Sequence, residues 1–173
     1  MISLILGGAR SGKSSYAEAM AIASKKEVIY IATGEARDDE MRDRIIHHQN
    51  SRPAQWLTIE EPIELASVLK TQAQSEGCLL VDCLTLWLSN ILFDRQGEMQ
   101  EAVFNQQKTD LLACLTHLKG DVIFVSNEVG CGIVPMDKMS RRFVDEAGRL
   151  HQQLAECCDS VVLVTAGLPQ VLK

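Results

Sequence analysis

Apolar residues gather in strand-sized runs at Ile2–Leu6, Val28–Ala32, Leu79–Val81, Val122–Val125 and Val161–Val164, each separated by enough chain for a helix. That alternation predicts an α/β fold, a parallel sheet wrapped by helices, because parallel strands need crossover connections and the crossovers cover the sheet faces. A second period appears before the last run. Met139, Phe143, Ala147, Leu150, Leu154 and Cys157 recur at steps of three and four, which predicts a helix with one apolar stripe; Asp137 stands where a side-chain cap belongs. Ser14–Ser24 reads as an alanine-rich helix and Asp38–Asn50 as another, whereas the polar tract Gln96–Gln107 reads as an excursion or a helix start. With no linker, repeat or low-complexity tract, residues 1–173 are expected to form a single domain.

Composition narrows the partners. The 173 residues carry a net charge of −6 without long blocks of like charge, which argues against a general nucleic-acid surface and favours small molecules. The six cysteines include no C-x-x-C pair, and Met1 leads straight into the first apolar run. Reduced thiols in a cytoplasmic protein are the simplest account. The apolar runs are too short to span a membrane.

The chemistry is announced between the first run and the first helix. Gly7-Gly8-Ala9-Arg10-Ser11-Gly12-Lys13-Ser14 fits G-x-x-x-x-G-K-[ST] in the strand–turn–helix context that gives this pattern meaning. Glycines let backbone N–H groups curl around phosphate oxygens, and the helix start adds partial positive charge. Lys13 is then expected to reach the outer phosphates and Ser14 to ligate Mg2+. Asp82, closing the run Leu79-Leu80-Val81-Asp82 at a strand's carboxyl end, is the candidate magnesium-side carboxylate; taken alone, it reads equally well as an aspartate that ends a strand.

A phosphate loop does not say what happens to the nucleotide. If Asp38–Asn50 is helical, His47 shares a polar face with Asp43 one turn back, while His48 lies on the apolar side with Met41 and Ile45. An imidazole placed like His47 is either a solvated helix histidine or a nucleophile toward phosphorus, and spacing alone favours the first.

The phosphate loop, Tyr30-Ile31-Ala32-Thr33, Asp38-Asp39-Glu40-Met41, His47-His48, Arg52-Pro53-Ala54, Glu60, Val81-Asp82-Cys83-Leu84-Thr85 and Ser126-Asn127-Glu128-Val129-Gly130-Cys131-Gly132-Ile133-Val134-Pro135 occur in this order. Together they resemble, from end to end, the bifunctional adenosylcobinamide kinase / adenosylcobinamide-phosphate guanylyltransferase family of cobalamin synthesis. The resemblance implies a three-layer P-loop NTPase fold with a mostly parallel RecA-like sheet and helices on both faces. It also implies a homotrimer and two reactions. In the first, ATP or GTP phosphorylates the hydroxyl of the aminopropanol arm of adenosylcobinamide. In the second, GTP guanylylates a histidine, and adenosylcobinamide phosphate takes the GMP to give adenosylcobinamide-GDP. Mapped by motif, the guanylylated residue is His47, and the guanine nucleotide site comprises Gly7 to Ser14, Ala32, Thr33, Gly34, His48, Gln49, Asn50, Ser51, Glu60 and Asp82.

One loop suits both reactions: its grip on the β- and γ-phosphates serves γ-phosphoryl transfer and equally holds a departing pyrophosphate. Attack at the α-phosphorus needs His47 in line from the opposite side, so the helix from Asp38 is expected to swing over the nucleotide. No N-K-x-D guanine signature occurs, and Asp145-Glu146-Ala147-Gly148 spells D-x-x-G only inside the predicted helix stripe. Arg10, Arg141, Arg142 and Arg149 are candidates to neutralise phosphate charge, the last three also reading as ordinary polar-face arginines. Two rivals stand beside this reading: a P-loop kinase of another small alcohol, and a non-catalytic nucleotide switch.

Overall fold

The computed structural model describes residues 1–35, 53 and 55–173. The expected helix Asp38–Asn50, and with it His47, His48, Gln49 and Asn50, lies outside the described residues, as does Ser51. Every described strand joins one sheet: β1 (Ile2–Gly7), β2 (Glu27–Ala32), β3 (Leu57–Glu60), β4 (Gly77–Asp82), β5 (Asp121–Asn127), β6 (Ser160–Thr165) and β7 (Leu168–Val171). Their order is β3-β2-β4-β5-β1-β6-β7, parallel throughout except for β7. The helices are α1 (Lys13–Ala23), α2 (Leu65–Gln72), α3 (Leu84–Leu92), α4 (Glu101–Leu115) and α5 (Lys138–Cys157).

Unbroken apolar runs are what a sheet covered on both faces requires, and the residues sort by parity into two cores. Leu4, Leu6, Leu79, Val81, Val122 and Phe124 pack under residues of α2, α3, α4 and α5. Ile5, Leu80, Ile123, Val125, Val162 and Val164 face the other way, where Ala17 and Ala21 of α1 lie against them. Alanines bring α1 close to the sheet, which places its first residue, Lys13, next to the end of β1. Trp87 of α3 is wholly buried, worth about 1.5–3 kcal/mol for a large apolar side chain, and its Nε1 donates to Ile63 O at 2.8 Å.

Two expectations need correction. Strands β3 and β7 escaped the apolar-run criterion because both lie at sheet edges with mostly exposed side chains. The tract Gln96–Gln107 holds both features the sequence offered, an excursion over its first residues and the start of α4 from Glu101. The stripe of α5 is right in its middle and wrong at its ends: Ala147, Leu150 and Leu154 are buried, but Met139 is 41% exposed and Cys157 is exposed. Beyond Cys157 the backbone turns extended, so the inward position passes to Cys158, which is buried. Asp137 caps α5 as expected, accepting from Met139 N at 3.3 Å and Ser140 N at 2.7 Å.

Candidate functional site

Because β1 to β6 are parallel, their carboxyl ends share one edge, where open α/β sheets bind ligands. The register sets a row along it: Glu60 pairs with Ala32, Ala32 with Asp82, Asp82 with Val125, and, two residues further along β5, Asn127 with Gly7. Asp82 closes β4 on this edge, as its place at the end of an apolar run predicted. Strand β5 lies between β4 and β1, so with about 4.8 Å per strand the backbone of Asp82 sits about 10 Å from β1, and the end of β5 is the nearer neighbour of the loop.

The phosphate loop is built by close approach. A Cβ on Gly7 would overlap Ser11 Oγ and come within 2.6 Å of Val164 O, so no side chain fits there. Gly12, at φ +93°, precedes α1 in the left-handed region that glycine tolerates. Ser11 O accepts from Gly167 N at 2.8 Å, which fastens the loop to the β6–β7 hairpin. Lys13 is 9% exposed, and its Nζ donates to Gly8 O at 3.2 Å, laying the ammonium across the loop. Ser11 Oγ is buried with no hydrogen-bond partner among the described residues. An unpaired hydroxyl inside a glycine loop is suited to an incoming phosphate oxygen.

Two threonines fix the neighbouring loops. Thr33, wholly buried just past β2, donates from Oγ1 to Cys83 O at 2.7 Å and accepts from Cys83 N at 3.0 Å. Thr85, at the start of α3, accepts at Oγ1 from Asn127 N at 3.3 Å and Asn127 Nδ2 at 3.1 Å. The chain just after Asp82 is thereby tied to the β2 side through Cys83 and to the end of β5 through Thr85. Asn90 Nδ2 donates to Thr33 O at 2.8 Å and anchors the Ala32–Gly34 turn from beneath. Burial pushes the Cys83 thiol up to about 11, with the Asp82 charge adding to the rise, so this thiol is neutral and packs rather than reacts.

The remaining predicted residues divide. Glu60 is exposed at the end of the edge strand, four strands and about 19 Å of sheet from Gly7; the structure does not bring the two together. Arg10 is exposed on the loop at φ 56°. The other three arginines serve α5: Arg141 Nη1 donates to Pro135 O at 3.0 Å, while Arg142 and Arg149 both pair with Glu146. They are polar-face arginines. Asp145–Gly148 lies inside α5, as the coincidental reading of D-x-x-G requires.

Sequence reasoning assigned no role to the residues that close the β5 end. Glu128 N donates to Gly7 O at 3.0 Å, and the Glu128 carboxylate faces His151 of α5, whose other nitrogen meets Ser126. A polar residue set among the stripe positions Ala147, Leu150 and Leu154 was the available signal for His151.

For Mg2+, Ser14 offers a hydroxyl and Asp82 a carboxylate, hard oxygens of the kind this ion prefers. Among the described residues no group of three His, Cys, Asp or Glu side chains stands ready to hold a metal alone.

Solved structures show the same fold at low identity. The flagellar accessory protein FlaH from Methanocaldococcus jannaschii matches at TM-score 0.51 and 14% identity, covering 99% of this chain and 77% of that one. A Pyrococcus horikoshii OT3 protein, PH0250, matches at 0.55 and 9%, covering 99% and 85%. Sequence relatives are nearer. The bifunctional adenosylcobalamin biosynthesis protein CobP of Pseudomonas aeruginosa is 51% identical over 173 residues, covering 100% of this chain and 98% of the relative. The bifunctional adenosylcobalamin biosynthesis protein CobU of Escherichia coli strain K12 is 39% identical over 183 residues, both chains being covered in full. Residues 3–172 match the model of one family, so the chain that builds this phosphate loop and these stapled strand ends belongs to the cobinamide kinase / cobinamide phosphate guanyltransferase family.

Proposed function

We propose that this protein phosphorylates adenosylcobinamide with ATP or GTP and then, through a guanylyl-histidine, transfers GMP from GTP to the resulting phosphate. The observation that carries the reading is the phosphate loop of a family member set at the end of a carboxyl-edge row, with Lys13 lying across it. Lys13 and the loop N–H groups hold the β- and γ-phosphates in both reactions. In the first, the hydroxyl of the aminopropanol arm attacks the γ-phosphorus; in the second, His47 attacks the α-phosphorus and pyrophosphate leaves from the same grip. Ser14 and Asp82 would hold Mg2+, which would supply charge neutralisation at the phosphate oxygens.

Ala32, Thr33 and Gly34, with Glu60 further along the row, face the nucleoside end, and His48 to Ser51 complete that site. The two threonine bridges support this reading by keeping Asp82 and the Ala32–Gly34 turn rigid, so a nucleotide meets a formed edge. The protein works as one domain in the cytoplasm, as a homotrimer, without nucleic acid. No helix among the described residues is long and apolar enough to cross a membrane.

The test is to incubate the protein with GTP labelled at either the α- or the γ-phosphate and with adenosylcobinamide. The α-label should remain on denatured protein and the γ-label should pass to the corrinoid. A γ-label transferred to corrinoid with no α-label ever on the protein leaves a kinase alone.

A further inference from the structure

One carboxylate in the candidate site has no role so far. Asn127 pairs in register with Gly7, and Glu128 N continues the ladder by donating to Gly7 O at 3.0 Å, so Glu128 emerges beside the first glycine of the phosphate loop. It leaves the strand that separates Lys13's loop from Asp82. Its Oε1 accepts from Gly130 N at 2.5 Å, which fixes the side chain within its own turn. Its Oε2 lies 3.9 Å from His151 Nδ1. His151 Nε2 in turn lies 2.7 Å from Ser126 Oγ, and both of these residues are buried.

Two comparisons give Glu128 chemical meaning. Glu146, on the same helix as His151, is surrounded by Lys108, Arg142 and Arg149, which commit it to structure. Glu128 has no lysine or arginine salt-bridge partner among the described residues and faces His151 alone, so no side-chain cation holds its carboxylate in a structural pair. Burial lowers the His151 pKa against the opposing pull of Glu128, so the imidazole is neutral; its Nε2 shares a hydrogen bond with Ser126 Oγ, which turns Nδ1 toward Glu128.

The two proposed reactions differ in their need for a base. The alcohol of adenosylcobinamide carries a proton that must leave as its oxygen bonds to the γ-phosphorus. A neutral imidazole attacks with a free lone pair, and a phosphate dianion has no proton to lose.

Resting on the kinase reading above, we propose that Glu128 is the general base of the phosphorylation step and that His151, seated on Ser126, is its positioning residue. The hydroxyl oxygen forms a bond to the γ-phosphorus, the bond between that phosphorus and the β–γ bridging oxygen breaks, the nucleoside diphosphate leaves with the bond electrons, and the hydroxyl proton passes to the Glu128 carboxylate.

The experiment compares the γ-phosphoryl transfer rate to adenosylcobinamide with the α-labelling rate in the same preparation. Glu128→Gln keeps the shape and the acceptor for Gly130 N, and should lower the kinase kcat by about 10²–10⁴-fold, the usual worth of a general base, relative to α-labelling. Glu128→Asp should recover at least about tenfold of that loss, and formate should partly rescue Glu128→Ala. His151→Gln should lower the kinase kcat while leaving the nucleotide KM within about threefold, the pattern of a lost positioning contact. Kinase and labelling rates falling in step in Glu128→Gln, or a kinase loss below about fivefold, would overturn the assignment. A wild-type protein that never moves the γ-phosphate to a corrinoid would instead overturn the kinase reading on which it rests.

Discussion

The hydroxyl of Thr33 bonds the backbone of Cys83 twice, donating to its carbonyl at 2.7 Å and accepting from its amide at 3.0 Å. These are neighbours in the sheet but fifty residues apart in sequence. The pair replaces ladder bonds where β2 and β4 have ended, and it does so at the residue following Asp82. Thr33→Val, equal in shape, leaves the buried Cys83 amide without its partner, while the Cys83 carbonyl keeps Trp87 N at 3.2 Å. One such group costs about 1–3 kcal/mol, so urea denaturation should show a loss of that order, accompanied by weaker nucleotide binding. A variant as stable as the parent would mean that the turn relaxes to recover its bonds elsewhere.

Lys13→Ala should reduce both γ-phosphoryl transfer and α-labelling by at least about 10²-fold, since one charged donor removed from a preorganised anion site costs that much. Initial rates with labelled GTP measure both at once. Survival of either reaction near its parental rate would mean that the two do not share the loop.

Asp82→Asn keeps the shape of the strand end and the staples around it, because both threonine bridges use other atoms. Its defect should therefore lie with the metal and shrink as Mg2+ is raised through a titration of the kinase rate. A deficit of constant size across that titration would leave Asp82 with a purely structural role.

What was legible in the sequence is what acts locally. Gly7 to Ser14 announce their conformation and their chemistry together, and Asp137 caps the helix that starts beside it. The strand order was not legible, so nothing in the chain said that β5 would part Asp82 from the loop. Thr33 with Cys83, Thr85 with Asn127 and Ser126 with His151 all join positions 25 or more residues apart. Threonine and serine are among the least distinctive residues in a sequence, and only the folded register gives them partners. Strands β3 and β7 were invisible for a related reason: an edge strand lacks the two-sided burial that writes an apolar run.

His151 makes a pH signature. Burial lowers its pKa in the folded protein, whereas the unfolded chain titrates near 6.5. Below about 6.5 the unfolded state binds a proton that the folded state refuses, so stability is fully present above that pH and declines as pH falls toward the lower folded value. The slope from one such group is at most about 1.4 kcal/mol per pH unit. Urea midpoints measured at pH 7.5 and 5.5 should differ less for His151→Gln than for the parent. Equal differences would place the acid sensitivity in other groups.

The decisive residue for the two-reaction reading is His47. If it is the guanylylated nucleophile, His47→Ala should lose the α-label and guanylyl transfer together, while γ-phosphoryl transfer to adenosylcobinamide persists, because that step uses a hydroxyl rather than the imidazole as nucleophile. His48→Ala should still acquire label. The bond formed is a phosphoramidate, labile in acid and durable in alkali, whereas a phosphoryl group on a carboxylate would show the opposite preference. Only the neutral ring attacks, so the labelling rate should fall as pH drops through the histidine range, near 6.5 for an unperturbed side chain. Hydrolysis of the denatured, labelled protein at both extremes of pH separates the chemistries, and peptide mapping locates the label. Undiminished labelling of His47→Ala, or a linkage stable in acid, refutes the assignment and leaves the protein a kinase whose second reaction must be sought elsewhere.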